Sequence, residues 1–339
     1  MSIRLSICIP TFNRAAFIGA TLDSVLPQAG DDVEVVIVDG ASVDDTEAIV
    51  RAYQRQHPRL VYEKRERNSG VERDTHRAVE IATGEFCWLM CSDDVLKPGA
   101  VDAVLGALAQ GHEFVVVNAE VRNRDLSELL EERRLRVYED RVYRADEMER
   151  LFLDTIDYLT YMGAVVIRRS LWMSRPNDEY LDTDFVHVGV IFQRELPGTS
   201  LAMAEPRMIL RGGNATWTAR EFELWSNWSI VVWSLKNFPE AIRQCICPQY
   251  IWLDLRKMVL QRACGTFSLK EYDRWIRPVS GWRRQKFLLR LLAVFPGGPL
   301  NLLNVIYFSL RGSRGSNLVA LRASRFYWLR SGGSEPAPR

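Results

Sequence analysis

Short apolar runs recur through the first third of the chain, and the segments between them read as helices. The runs are Leu5–Ile9, Val33–Val38, Leu60–Tyr62, Phe86–Met90 and Phe114–Val117. An apolar run this short, bounded by turn residues, marks a buried strand. After the first run, Ile18, Leu22, Val25 and Leu26 fall at helical spacing, with Asn13 expected as N-cap. Asp44 is expected to cap a helix carrying Ala48, Ile49, Ala52 and Tyr53. A polar helix is expected over Val71–Ala82, and Val101, Val104, Leu105 and Leu108 mark another. Strands alternating with helices predict an α/β fold around a mostly parallel sheet.

Polar clusters follow successive strands: Pro10, Thr11, Asn13 and Arg14; Asp39 to Ser42; Asn68 to Gly70; Ser92, Asp93 and Asp94. In open parallel sheets ligands bind outside the carboxyl ends of the strands. The four clusters are therefore expected along one edge, around a nucleotide-type ligand. The last lies in GEFCWLMCSDDVLKPG, residues 84–99, where a strand breaks into two adjacent carboxylates. Buried charge needs a partner. A hard divalent cation, Mg²⁺ or Mn²⁺, held by Asp93 and Asp94 is one reason for the pair. The other is that one of them caps the helix beginning near Pro98. No GxGxxG follows the first strand and no P-loop occurs, so metal and basic side chains would have to hold phosphates. Arg14, Arg73 and Arg211 are candidates, since a guanidinium fork matches phosphate geometry; taken singly, each reads more readily as a solvated surface charge.

At 339 residues the chain exceeds a single small core. The expected division is a nucleotide-binding and catalytic domain over 1–220, a helical region over 221–330 and a disordered tail over 331–339. Residues 118–150 are charged and weakly periodic, with a strand near Arg136–Tyr143. Met162–Ile167 is a further strand, and Leu201–Leu210 a strand broken at Pro206. The net charge of +1 conceals an asymmetry: residues 281–339 hold ten Lys and Arg against one acid, leaving 34 basic and 42 acidic residues in 1–280. The six cysteines lack paired metal-ligand spacing and MSIRLSICIP lacks a signal-peptide pattern, so a reducing, cytoplasmic setting is expected. Leu291–Leu310 is free of charge and long enough to span a bilayer, but Pro296-Gly297-Gly298-Pro299 interrupts it, predicting two short helices. Basic residues interleaved with aromatics over 281–330 suit attachment to an anionic membrane surface, at the inner face of the cytoplasmic membrane; the alternative is packing on the body. No nucleic-acid-binding motif is present, and no nucleic-acid partner is expected.

Asp182, Asp184 and His187 precede an apolar stretch ending at Phe192. A histidine among carboxylates is either functional or a satisfied core residue. Trp217 follows Gly212-Gly213 and is either a core aromatic or the tip of a mobile, sugar-stacking loop.

Taken together, SICIPTFNR, VVIVDGASVDDT, NSG and GEF with SDD and a proline resemble a glycosyltransferase of family 2 with the GT-A fold, a Rossmann-like sheet here followed by a C-terminal helical appendage. YLDTDFVHVGVIFQ and WLMCSDD are similar to segments of bacterial O-antigen transferases of the abequosyltransferase type. The resemblance implies a nucleotide-diphospho-sugar donor, a divalent metal, inversion at the anomeric carbon, and a glycan or undecaprenyl-linked acceptor. It places Pro10, Thr11 and Asn13 along the nucleotide, Asp39 at the base and Asp93 on the metal. Arg14, Ser42, Asn68, Arg73, Ser92 and Trp217 complete the expected donor site. Two departures stand out. Cys91 replaces the first aspartate of the family's DxD motif, and Thr183-Asp184 replaces the usual Glu-Asp that supplies the base. Asp184 is the expected base, with Asp182 and His187 as rivals. A nucleotidyltransferase and a non-catalytic nucleotide-sugar-binding module are the competing readings; PTFNRAAF is not the Gly-rich phosphate loop of the first.

Overall fold

The computed structural model describes residues 2–212, 220–310 and 316–328. Trp217 and the tail 331–339 lie outside the described residues. The chain forms two compact units, Met1–Asn214 with Ile230–Cys247, and Ala215–Ser229 with Pro248–Arg339.

Among the described residues the first unit contains twelve strands: β1 Leu5–Thr11, β2 Val33–Asp39, β3 Leu60–Lys64, β4 Phe86–Leu89, β5 Val95–Leu96, β6 His112–Val116, β7 Ala119–Arg122, β8 Leu129–Glu131, β9 Arg141–Tyr143, β10 Val165–Arg168, β11 Thr199–Ala202 and β12 Met208–Arg211. Eight form a sheet in the order β3-β2-β1-β4-β10-β6-β11-β9, and β5-β12-β7-β8 form a smaller one. The pairs β3-β2, β2-β1 and β1-β4 are parallel, and β10 runs antiparallel to both β4 and β6. Every residue of β1, β2 and β4 is buried. A sheet covered on both faces requires such continuous apolar runs, which is why these strands show no alternation. Register places Thr11 beside Asp39, and Asp39 beside Lys64. The turns after β1, β2, β3 and β4 therefore share one edge.

Helices α1 Ala15–Val25, α2 Thr46–Gln54, α3 Val71–Ile81 and α4 Ala100–Ala109 connect the strands. Ile18, Leu22 and Val25 of α1 are fully buried, as their spacing requires. Asn13 does not cap α1. Arg14 occupies the cap position without a side-chain bond, and Asp44 Oδ2 accepts the Ala15 N–H at 3.0 Å. The other oxygen of Asp44 accepts the Thr46 N–H at 3.1 Å, so one carboxylate serves the starts of α1 and α2. Asn13 is drawn away because its backbone is left-handed, at φ 51°, and its Oδ1 accepts the Val43 N–H. The stretch expected as one broken strand over Leu201–Leu210 enters both sheets, with β11 in the larger and β12 in the smaller. Residues 230–247 pack within the first unit, where Phe238 stacks on Phe152 with ring centroids 4.3 Å apart.

The second unit is helical around a core of Phe222, Trp252, Met258, Phe267, Tyr272, Ile276, Leu289 and Ala293. The charge-free stretch Leu291–Leu310 covers the last turn of the helix Arg283–Val294 and the whole of the helix Gly297–Leu310, which are bent by 97° at the expected Pro-Gly break. Among the described residues no single helix is long and apolar enough to cross a membrane.

Candidate active site

The turn after β1 is bonded to the turn after β2. Thr11 carbonyl accepts the Gly40 N–H at 2.8 Å, Ser42 Oγ accepts the Asn13 N–H at 2.8 Å, and Thr46 Oγ1 accepts the Arg14 N–H at 2.9 Å. Asp39 is wholly buried; one carboxylate oxygen accepts the Ser42 N–H and the other the Tyr62 hydroxyl, both at 2.7 Å. A carboxylate offers about four acceptor positions, and these two bonds use half of them. Thr11 Oγ1, at the end of β1, is buried with no hydrogen-bond partner among the described residues. Asn68 Oδ1 accepts the Gly70 N–H at 2.9 Å, shaping the third turn. A Cβ on Gly40 would stand 2.6 Å from Asp74 Oδ2, so a larger residue there would have to displace the Asp74 side chain at the start of α3.

After β4, Cys91 Sγ and one oxygen each of Asp93 and Asp94 lie within 4.8 Å of one another. Neither aspartate caps α4: Gly99 holds the cap position and Gln28 Oε1 accepts the Ala100 N–H at 3.0 Å. That removes the capping explanation for the acidic pair. Asp93 Oδ2 lies 3.6 Å from Arg14 Nε. Asp94 is 3% exposed and accepts the Arg211 N–H at 2.8 Å and the Tyr161 hydroxyl. Burial, and next the charge of Asp93, push its carboxyl up to about 7. Ser92 contributes backbone: its carbonyl and that of Asp94 accept the Thr21 hydroxyl at 3.1 and 2.8 Å. Arg211 reaches the site because β12 pairs antiparallel with β5, and its Nε donates to the Asp93 carbonyl at 2.8 Å.

A divalent cation fits these residues. It would relieve the like-charge penalty that raises Asp94, and carboxylate oxygens suit a hard ion. Burial keeps the Cys91 thiol protonated, which makes it a poor ligand for such an ion.

Asp182, Asp184 and His187 differ in environment. Asp182 is exposed and held through both oxygens by Arg73, whose hydrogen bonds, and then its charge, lower its pKa. Asp184 is half-buried, one residue before Phe185, the N-cap of the helix Val186–Phe192. His187 is 1% exposed, with Nε2 2.7 Å from the Leu159 carbonyl. Burial lowers its pKa to about 4, so the ring is neutral near pH 7 and Nε2–H is the donor. Glu72, Tyr62 and Tyr161 were not foreseen. Glu72 accepts the Val186 N–H at 3.0 Å, and burial, with a smaller push from Asp184, raises its carboxyl to about 7. Nothing in sequence spacing pairs residue 72 with 186 or 161 with 94; the only signal was an acid in the first turn of a helix beside the site.

Residues 6–172 match the family model described as Glycosyl transferase family 2. The abequosyltransferase of Salmonella typhimurium is 26% identical over 224 residues, 62% of this chain and 67% of that protein. The GalNAc(5)-diNAcBac-PP-undecaprenol beta-1,3-glucosyltransferase of Campylobacter jejuni is 28% identical over 116 residues, 34% of this chain and 38% of that one. Among solved structures, S. aureus TarS 1-349 in complex with UDP-GlcNAc superposes with a TM-score of 0.59 at 14% identity, covering 94% of this chain and 90% of that one. The sheet order and these likenesses show that residues 6–172 carry a family 2 glycosyltransferase domain with the GT-A fold.

Proposed function

We propose that the protein is an inverting, divalent-metal-dependent transferase. It moves a hexosyl or deoxyhexosyl unit from a nucleoside-diphospho-sugar to a hydroxyl of a glycan or polyprenyl-linked glycan. The observation that carries this reading is the Asp93–Asp94 pair, which lies at the strand edge it shares with Asp39 and is flanked by Arg14 and Arg211. Asp39, Thr11 and Ser42 receive the nucleoside, and Asp93 and Asp94 hold the metal. When bound, the metal neutralises negative charge developing on the departing diphosphate. Arg14 and Arg211 add positive charge beside it. Asp184 takes the acceptor hydroxyl's proton. Asp182 is already committed to Arg73, and His187 has its donor nitrogen on a backbone carbonyl and is buried. The named substrate of the Campylobacter relative, a diphospho-undecaprenol glycan, supports a lipid-linked acceptor. An anionic membrane surface is the partner we assign to the second unit, whose helix pair exposes both arginines and large apolar side chains.

The full chain is tested against a panel of UDP-, GDP- and CDP-sugars with and without Mn²⁺. One donor should raise the melting temperature and be slowly hydrolysed only with Mn²⁺. Asp93→Asn should lose both responses while keeping its metal-free melting temperature. Equal turnover by wild type and Asp93→Asn, or no response to any donor, overturns the reading.

A further inference from the structure

Two consecutive residues of α3 grip the segment that carries Asp184. Glu72, 7% exposed, accepts the Val186 N–H at 3.0 Å and the Thr183 hydroxyl at 3.4 Å. Arg73 takes both carboxylate oxygens of Asp182. Between these anchors the backbone turns through two left-handed residues, Asp182 at φ 66° and Asp184 at φ 69°. Non-glycine residues seldom adopt that region, and they stay there only where surrounding bonds over-determine it. At the other end of the helix Val186–Phe192, the buried guanidinium of Arg175 donates to the carbonyls of Val190, Ile191 and Glu195. The carboxylate is therefore presented by a segment fixed from outside at both ends.

α3 starts directly after Asn68-Ser69-Gly70, the third turn of the donor edge. Ser69 Oγ donates to Asp74 Oδ1 at 2.9 Å, and Asp74 stands against Gly40. One helical turn thus touches both the donor-lining turns and the segment bearing the base.

We propose that Glu72 is a positioning residue for Asp184, with Arg73 as a weaker second anchor, and that the first turn of α3 aligns the base with the donor site. The proposal rests on Asp184 being the base. Glu72 is the stronger anchor because it accepts a backbone N–H inside the protein. The Arg73–Asp182 pair lies in solvent, with side chains 40% and 69% exposed, where ion pairs contribute little.

The test compares full-length wild type, Glu72→Gln, Glu72→Ala, Arg73→Ala and Asp184→Asn on the donor that wild type hydrolyses with Mn²⁺. Hydrogen exchange is followed in the peptides spanning 181–188. Glu72→Ala should lower kcat about 10- to 100-fold with the donor KM within twofold, the pattern of a lost transition-state alignment. Glu72→Gln keeps one acceptor oxygen and should recover most of the rate, and Arg73→Ala should fall only a few-fold. Exchange should rise in 181–188 and stay unchanged in β1 and β4. Wild-type kcat in Glu72→Ala overturns the proposal. So does a joint fall of kcat, donor affinity and protection throughout the chain, which marks a purely structural role. If Asp184→Asn keeps full turnover, the base assignment has failed and the positioning role falls with it. If only Asp184→Asn is impaired, the base stands and Glu72 is not its anchor.

Discussion

Asp184 owes its place to a backbone that asparagine and aspartate tolerate better than most residues, because their short polar side chains bond locally. Asp184→Asn therefore keeps size and, at φ 69°, backbone preference, while removing the ability to take a proton. The expected result is a fall in kcat of roughly 10²- to 10⁴-fold, the usual contribution of a positioned base. Donor affinity, measured by calorimetry with Mn²⁺ present, should stay within about twofold, since a base acts in the transition state. Asp182→Asn and His187→Ala serve as comparators. Loss of turnover in either, with Asp184→Asn near normal, moves the base elsewhere. His187→Ala should instead unsettle the fold, because the ring is fully buried and bonded to the Leu159 carbonyl.

At the opposite edge of the parallel strands, Gly84 joins three elements. Its N–H donates to Ser6 Oγ at 2.9 Å, Ser6 Oγ donates to Glu34 Oε1 at 2.6 Å, and that oxygen also accepts the Thr83 N–H at 2.6 Å. A Cβ on Gly84 would meet Ser6 Oγ and stand 2.8 Å from the Ser6 nitrogen, which is backbone and cannot swing aside. Gly84→Ala should destabilise the first unit by about 1–3 kcal/mol, the usual effect of overpacking. Denaturant unfolding checks this, and a change under about 0.5 kcal/mol, the range of indifferent surface substitutions, would contradict it. Elements of this kind explain what the sequence discloses. β1 to β4 and α1 to α4 were legible because each is a local pattern, an apolar run or a spaced stripe, whose burial the parallel sheet enforces. The turns carrying Thr11, Asp39, Asn68 and Asp93 followed from the edge rule alone. Contacts set by distant pairing were not legible. β10 enters antiparallel between β4 and β6, β12 delivers Arg211 to Asp94, and Glu72 meets Val186, none of which leaves a spacing to read. Asn13 failed as a cap for the same reason: its partner, Val43, belongs to the next turn.

For the molecule as a whole, charge and apolar exposure coincide in one region of the chain. Residues 281–339 hold ten basic side chains against one acid, while residues 1–280 are net −8. The helix Arg283–Val294 buries Leu289 and Ala293 in the second unit's core and leaves Phe287, Leu288, Leu291 and Val294 exposed. Leu303 and Leu310 are 62% and 84% exposed on the helix Gly297–Leu310. Apolar surface of this extent usually marks an interaction site. The basic residues among it, Arg283, Arg284 and Arg290, are exposed and favour an anionic lipid surface, each adding about 1 kcal/mol close to it. The full chain should sediment with phosphatidylglycerol vesicles at low salt, bind phosphatidylcholine vesicles weakly, and release at about 1 M salt, where screening reaches within about 3 Å. Removing the whole segment would also remove Leu289 from the core, so exposed positions give the cleaner variant. Arg283→Gln with Arg284→Gln and Phe287→Ser should abolish sedimentation and leave Mn²⁺-dependent donor hydrolysis unchanged. Sedimentation that is indifferent to lipid charge would reduce the region to an apolar contact. No sedimentation at low salt would mean that these helices serve another partner, and the membrane assignment would fall.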